Sequence, residues 1–157
     1  MRDVGNAVLL AELAEYFGED FAAGRSDADF PLRLIPRRHN NFMNSSGTGL
    51  AKLNKGKAYN PTYMHPDAIA ALGLTSGDVV TVTSPHDSIP SVVEADDSLR
   101  PDVVATHHAF GGLPAEDDEV RDRGSTVGRL IPTEFDYDRI TGLPRQGNIP
   151  VRVTPRS

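Results

Sequence analysis

Cysteine is absent from the 157 residues of this sequence, and so is tryptophan. Without cysteine the chain cannot form disulfides, bind an iron–sulfur cluster, use a thiolate nucleophile or build a cysteine-based zinc site. No apolar run approaches the roughly 18 residues of a membrane-spanning helix. The N-terminus also lacks the basic and then apolar pattern of a signal peptide. We therefore expect a soluble, cytoplasmic protein that has no membrane partner.

Positive charge is scarce as well. The chain has 16 Lys and Arg residues against 22 Asp and Glu, which gives a formal net charge of −6. The whole molecule therefore has no electrostatic attraction for nucleic acid, and we expect no nucleic-acid partner. An anionic ligand would have to be held by a local cluster of basic residues.

Glycine and proline, by contrast, are plentiful, with 14 and 12 residues. That content favours many short strands and turns over a helical bundle. The hydrophobic fraction of 38% is enough to fill the core of one domain of this length. A single, mainly β domain is the first expectation.

The first 29 residues differ from the rest of the chain. Residues 5–17, "GNAVLLAELAEYF", carry apolar residues at helical spacing and predict an amphipathic helix that Gly18 ends. The acidic, glycine-containing stretch after it is typical of a linker. We therefore predict a helix and linker over residues 1–29, leading in from a preceding domain, and a separate domain over residues 30–157.

Alternating apolar residues predict several strands after Phe30. The predicted strands are "FPLRLIP" at 30–36, with Leu32 and Leu34 on one face, the segments around Val80 and Val82, through Val92 and Val93, and Val103 to Thr106, and Ile149 to Val153. A helix of about two turns begins near Pro66 and ends at Gly73, with Ile69 and Leu72 facing inward. Two long connections remain, from Pro36 to Tyr63 and over residues 111–139, and the acidic "AEDDEVRDR" within the second predicts a solvated loop.

The first long connection begins with "RRHNNFMNSS", residues 37–46. Asparagine amides offer donors and an acceptor, and arginine offers the planar fork that suits phosphate. This mixture of groups makes the loop a candidate binding site for an anionic ligand. The alternative is a solvated turn, in which Asn and Ser bond locally to the backbone.

Four runs carry a family likeness. They are "LRLIPRRHNNFMNS", "YNPTYMHPDAIAALGLTSGDVVTVTSPHDSI", "RPDVVATHHAFGG" and "ITGLPRQGNIPVRV". In order and spacing they resemble the C-terminal molybdopterin-dinucleotide-binding domain of the DMSO-reductase and formate-dehydrogenase family of molybdenum or tungsten oxidoreductases. The resemblance covers about residues 30 to 153.

The resemblance implies a double-psi β-barrel, the fold also found in aspartate decarboxylase, with a few short helices. It implies that the domain closes over a bis-molybdopterin guanine dinucleotide, whose Mo or W is held by the parent enzyme. The partners would be the remaining catalytic domains or a large subunit, and the isolated domain would be a monomer. Such a domain has no catalytic residue of its own and is not catalytic alone.

The resemblance also implies cofactor contacts. The residues concerned are Arg38, His39, Asn40, Asn41 and Asn44 in the first loop, His108, Phe110 and Gly111 after a strand, and Gln146 and Asn148 near the end. The family's proline-histidine-glycine-aromatic-glycine motif is altered, because His107 replaces the proline and Ala109 the first glycine. A later asparagine-leucine pair is replaced by Gly128 and Arg129. For Gln146 and Asn148 a plain turn stays open as an alternative.

Imidazole is a common ligand of zinc, copper and nickel, so histidines are candidate ligands of a metal site. The five histidines lack ligand-like spacing, and adjacent residues of a strand, such as His107 and His108, point to opposite faces. We expect no metal ligands in this chain. His65 is predicted to be the residue through which the chain enters the helix at Pro66.

Two rival functions stay open at this stage. A double-psi barrel also serves as a protein-interaction or substrate-recognition module, as in the N-terminal domains of some AAA ATPases, and that function predicts an exposed apolar groove. An aspartate-decarboxylase-like enzyme would need a Gly-Ser self-cleavage site in its barrel. The only such pair is Gly124-Ser125, in the acidic connection, which disfavours the enzyme.

Overall fold

The computed structural model describes residues 5–18, 28–54, 57–138 and 140–156. Within them, six strands form one closed barrel: β1 Leu32–Arg37, β2 Thr62–Met64, β3 Val79–Thr83, β4 Ser88–Ala95, β5 Val103–His107 and β6 Ile149–Pro155. The α-helices are α1 Ala7–Gly18, α2 Ala51–Asn54, α3 Pro66–Ala71 and α4 Val120–Arg123. Two 3₁₀ helices cover Pro114–Glu119 and Val127–Leu130. None of these helices is long and apolar enough to span a membrane.

Around the barrel the strands follow the order β1-β5-β2-β4-β3-β6. The β1–β5 and β2–β4 pairs are parallel and the other four pairs are antiparallel. Parallel neighbours cannot be joined by a tight hairpin, so long connections must cross the ends of the barrel. The predicted fold class, a mainly β barrel of the double-psi kind with a few short helices, is confirmed.

The side chains that fill the interior of the barrel follow the predicted period-2 pattern. Val80 and Val82 of β3 are buried, as are Val151 and Val153 of β6. In β1 the side chain of Leu34 is buried, whereas the next residue, Ile35, is exposed. Alternate residues of a strand face opposite sides of the sheet, so the strand predictions hold where the pattern was clear.

Three details of the region before β3 differ from the prediction. Leu72 does not face inward: it is the C-cap of α3 and is 38% exposed. The strand β2 was missed, because its three residues run almost directly into α3. The connection from Pro36 to Tyr63 is not structureless, since it contains α2. The prediction for His65 is confirmed: it is the N-cap of α3, and its side chain accepts a hydrogen bond from the Asp67 backbone N–H.

The segment after β5 forms short helices and packs its apolar residues on the barrel. Within it, residues 115–123 are mostly exposed, as predicted, except Val120, although they are helical where the prediction has a loop. Val120, Val127 and Leu130 are buried against the barrel. Arg129 fixes the segment: its guanidinium pairs with Asp117 and Asp87 at 2.9 and 3.1 Å. The two residues that replace the family's asparagine-leucine pair therefore include one that closes an ion-pair cluster.

The predicted N-terminal helix forms, but its apolar stripe is not buried against the barrel. Leu9, Leu10 and Phe17 are 52%, 56% and 76% exposed. Its contacts with the rest of the chain include the Tyr16 hydroxyl, which donates to the Asp138 carboxylate at 2.8 Å. Helical spacing of apolar residues therefore predicted the helix correctly, but it did not predict that the apolar face of the helix is exposed.

Candidate cofactor site

Three segments that are distant in sequence meet at one end of the barrel. Because β1 and β5 are parallel, they end side by side, with Arg37 opposite His107. The antiparallel strand β6 begins at the same end, since Ile149 lies opposite Leu34. The loop after β1, the turn after β5 and the approach to β6 therefore border one surface.

A first cleft of about 430 Å³ opens on this surface. It is lined by side chains from all three segments: Arg38 and Asn44, His108, and Gln146. Its apolar floor includes Leu34 and Val127. Four of the ten predicted contact residues thus share one cleft, and Gln146 lies on the same face as the first loop.

A second cleft of about 260 Å³ adjoins the first through Arg38. Its lining is mainly polar and consists of Arg37, Arg38, His39, Asn40, Asn41, Tyr63 and His107. Arg37 is already engaged, because it pairs with Asp96 at 2.5 Å and its guanidinium lies 4.3 Å from the centre of the Tyr63 ring. Arg38 is the exposed cation at the junction of the two clefts.

The polar side chains of the loop differ in how far they are committed to the fold. Asn41 holds the loop to α2, donating from Nδ2 to the Leu53 carbonyl oxygen at 3.1 Å. Arg38 donates one N–H to Asn44 Oδ1 at 2.9 Å, and its other donors have no hydrogen-bond partner among the described residues. Asn40 is exposed, and within the described part of the chain its side chain has no hydrogen-bond partner.

An aromatic cluster lies beneath the second cleft. The His39 ring stacks on Phe42 with centroids 4.4 Å apart and is 5.4 Å from the His107 ring. Phe110 lies 5.8 Å from Phe42 and 6.0 Å from His107. Phe110 therefore contributes to the support of the loop and to a small cavity of about 30 Å³, rather than to either larger cleft.

Two predicted residues, Gly111 and Asn148, line none of these cavities. Gly111 has φ +85°, and an added Cβ would lie 2.4 Å from the Thr126 backbone nitrogen, so glycine is needed there for packing. Asn148 has φ +57°, and Asn44, which does line a cleft, has φ +54°. Asparagine tolerates this left-handed region better than most residues, which gives both positions a backbone reason for their side chain.

Sequence reasoning missed two residues of this region, His107 and Asn60. His107 is 6% exposed, and its pKa is lowered by burial, with added repulsion from His108, His39 and Arg37. Asn60 is 1% exposed and donates from Nδ2 to the carbonyl oxygens of His107 and Ser125. No local pattern could have revealed contacts that join residues so far apart along the chain.

Ser125 of the Gly-Ser pair has a structural role. It is 2% exposed, its backbone N–H donates to Asn60 Oδ1 and its hydroxyl donates to the Pro90 carbonyl oxygen. Within the described residues no group of three or more His, Asp or Glu side chains is arranged to hold a metal ion.

A larger cleft lies at the other end of the barrel and has a different character. It measures about 630 Å³ and its lining is mostly apolar, with Leu32, Met64, Ala68 and Leu72 among its residues. It contains none of the ten predicted contact residues. An apolar groove suits the rival interaction module, but a dinucleotide requires the polar chemistry of the two clefts around Arg38.

Comparison with protein families decides between these interpretations. A family model described as "Molydopterin dinucleotide binding domain" matches residues 32–147, which is most of the chain. The chain belongs to this family. The resemblance seen in the sequence is thereby confirmed, and this molydopterin dinucleotide binding domain is similar to the C-terminal domain of molybdopterin oxidoreductases.

A solved structure gives the same fold. Acetylene hydratase from Pelobacter acetylenicus superposes with a TM-score of 0.67 over 99% of this chain, at 17% sequence identity. At that identity the likeness establishes the fold alone. The chain spans about a fifth of that structure's length, since it covers 21% of it. No curated protein matches the sequence.

The family implies a molybdopterin guanine dinucleotide as cofactor, and the residues at this end of the domain fit such a group. The clefts offer a guanidinium for phosphate and amides for a heterocycle. Beneath them, the buried Nε2 of His107 has no hydrogen-bond partner in the described structure. A buried polar atom without a partner is costly, so a ligand that satisfies it would be favoured.

Proposed function

We propose that this domain binds the dinucleotide cofactor through the two clefts around Arg38, as one part of a larger molybdopterin oxidoreductase. The observation that carries the proposal is the position of Arg38, which lines both clefts at the end where β1 and β5 finish together. Its guanidinium donates to Asn44, which lines the first cleft, and Asn40 lines the second cleft. A phosphate bound there would have a heterocycle-binding amide within reach on either side.

Each segment has a separate task in this proposal. Arg38 binds phosphate oxygens, because a guanidinium presents paired N–H donors and stays charged at all physiological pH values. Asn40 and Gln146 supply amides whose donors and acceptor suit a pterin or guanine edge. Asn41 acts indirectly, since its bond to α2 sets the shape of the loop. His39 and Phe110 support the loop from below.

The bound cofactor would supply two-electron redox chemistry or oxygen-atom transfer at Mo or W, and the protein supplies binding and orientation. The rest of the parent enzyme, as further domains or as a large subunit, would hold the metal and shape the substrate site. The division into a lead-in segment at 1–29 and a barrel domain at 30–157 belongs to the same proposal, as does a cytoplasmic location.

Binding of GDP, which carries the guanine and pyrophosphate of the cofactor, tests the proposal on the purified chain. We expect Arg38→Ala to weaken GDP binding by about tenfold, because a charged hydrogen-bonded pair is lost. Arg100→Ala is the matched control: Arg100 lies in the turn before β5, at the other end of the barrel, and pairs with Asp102. Calorimetry or NMR titration at fixed ionic strength provides the affinities.

The loop amides can be separated in the same assay. Asn40→Ala is expected to weaken GDP binding without changing the melting temperature, since the Asn40 side chain is exposed and unpaired in the described structure. Asn41→Ala is expected to lower both the affinity for GDP and the melting temperature, because it also releases the loop from Leu53. Equal GDP affinity in the wild type, Arg38→Ala and Arg100→Ala would contradict the proposed site.

A further inference from the structure

One ring nitrogen of His107 is hydrogen-bonded, and the other has no hydrogen-bond partner among the described residues. Its Nδ1 lies 3.0 Å from the carbonyl oxygen of His108. A carbonyl oxygen only accepts hydrogen bonds, so Nδ1 must carry the proton in this contact. In the neutral imidazole the other nitrogen, Nε2, then has a bare lone pair and acts as an acceptor.

Several features keep this imidazole neutral. His107 is 6% exposed, and burial disfavours the charged form. Its pKa is lowered chiefly by that burial. The hydrogen bond to the His108 carbonyl oxygen opposes this shift, and the nearby side chains of His108, His39 and Arg37 add to it. The Nε2 atom is therefore a buried acceptor, and within the described residues no donor reaches it.

The position of His107 shows where a donor could come from. Together with His39 and Tyr63, it lines both the polar 260 Å³ cleft and the 30 Å³ cavity below it. The smaller space has room for a single group such as an amino group or a water molecule. His39 lies over this space from the loop, half-buried, with its ring stacked on Phe42.

We propose that His107 Nε2 accepts a hydrogen bond from the amino group of a 2-amino-4-oxopyrimidine edge bound in the second cleft. This edge is shared by guanine and pterin, and the inference rests on the proposed function. The other polar groups of the second cleft that face solvent include the donors of Arg38 and the two-sided amide of Asn40. Because His107 Nε2 is an acceptor at a fixed position among them, the bound ring would have one preferred orientation, with its amino group toward His107.

The ring state is tested first, without any ligand. Long-range ¹H–¹⁵N correlation spectra of the histidine-labelled chain report which ring nitrogen carries the proton. We expect His107 to be neutral and protonated on Nδ1 at pH 7. A spectrum showing Nε2 protonated, in either the neutral or the cationic ring, would overturn the assignment of Nε2 as an acceptor.

Four probes then separate the two sources of the edge. GDP and pterin-6-carboxylate carry the amino group at the guanine and pterin ends, and IDP and lumazine-6-carboxylate are their counterparts without it. We expect one amino-bearing probe to bind about three- to tenfold more tightly than its counterpart, which is the effect of one hydrogen bond. That probe alone should shift the Nε2 resonance of His107.

The variant His107→Phe keeps a ring in place and removes the acceptor. We expect it to lower the affinity of the preferred probe to that of its counterpart and to leave the counterpart unchanged. His86→Phe is the matched control, since His86 is exposed and lies outside both clefts. If His107→Phe does not fold, His107→Gln, which restores an acceptor, should retain the preference.

The outcomes distinguish this inference from the proposed function. Binding of all four probes without preference would overturn the role of His107 and leave cofactor binding standing. An equal loss for both members of a pair in His107→Phe would show a structural role and would also overturn it. Absence of binding by every probe would overturn both proposals.

Discussion

Asn60 donates a hydrogen bond from Nδ2 to the carbonyl oxygen of His107 at 2.5 Å, across 47 residues of sequence. The same amide also bonds the backbone of Ser125, donating at 3.0 Å and accepting at 2.7 Å. Asn60 lies before β2, His107 ends β5 and Ser125 follows α4. One buried side chain therefore joins three connections beneath the candidate cofactor site.

Replacing Asn60 with alanine should destabilise the fold. Asn60→Ala removes the side-chain partner of three buried backbone groups, and we expect a loss of about 3 kcal/mol in the free energy of unfolding. Chemical denaturation measures it. Asn40→Ala removes the same side chain from an exposed position and should cost less than about 0.5 kcal/mol. Similar values for the two variants would show that the Asn60 bonds contribute little.

A glycine at position 109 should stabilise the domain. Ala109 has φ +73°, a left-handed conformation that costs a residue with a Cβ roughly 1–2 kcal/mol. Ala109→Gly relieves that cost and loses part of the gain to the greater entropy of the unfolded chain, so we expect a net gain of about 0.5–1 kcal/mol. The family motif has glycine at this position.

The same substitution in a helix provides the control for position 109. Ala71→Gly at the exposed end of α3 should destabilise by up to about 1 kcal/mol, because glycine is a poor helix former. Opposite signs for the two alanine-to-glycine changes are therefore expected in thermal denaturation. A loss of stability in Ala109→Gly would contradict the strain argument.

Removing Arg129 should loosen the segment that covers β4. Its guanidinium bonds Asp117, Asp87 and the Ser88 carbonyl oxygen, and its side chain is only 20% exposed. We expect Arg129→Ala to cost about 1–2 kcal/mol, since partly buried, multiply bonded arginines exceed ordinary surface pairs. Arg100→Ala, from a side chain that is 78% exposed, should be close to neutral.

The contribution of Asp96 to stability should depend on pH. The hydroxyl of Ser98, the guanidinium of Arg37 and the Ser98 backbone N–H hold the pKa of this carboxyl at about 2. A carboxyl whose pKa is lower in the folded state stabilises the fold above its unfolded pKa of about 3.9, and the effect is lost as the pH falls toward 2.

The comparison for Asp96 is with Asp96→Asn, in unfolding experiments between pH 6 and pH 2. The wild type's advantage over this variant should be constant at the upper end and shrink below about pH 4. Ser98→Ala, which removes one donor, should reduce the size of the change. An advantage of the wild type that does not vary with pH would contradict the attribution to the ionised carboxylate.

Local sequence pattern was enough to predict most of the barrel and little of what lies between its strands. Period-2 alternation identified β3 and β6, because each buries one face in the barrel. It missed β2, whose three residues are too few to show a period. The helical pattern predicted that Leu72 faces inward, although α3 ends before that residue and leaves it exposed.

The candidate site was reached by a different route. Family resemblance led to Arg38, Asn44, His108 and Gln146, and the structure places all four around one cleft. Their roles in binding stay predictions. The predicted contacts include neither His107, which the sequence marks only as a change in the motif, nor Asn60. The significance of both lies in burial and in hydrogen bonds between distant segments, which no local window of sequence contains.

The pairing of β6 with both β1 and β3 fixes when the site can exist. A nascent chain that has left the ribosome as far as β5 already contains the loop after β1, with His39, and also His107. It lacks Gln146, and without β6 the barrel is open beside β1. The clefts are complete only after the last strand has been synthesised and has joined its two neighbours. Under the proposed function, loading of the cofactor into these clefts follows translation of β6, and a chain truncated before Ile149 would present no finished site.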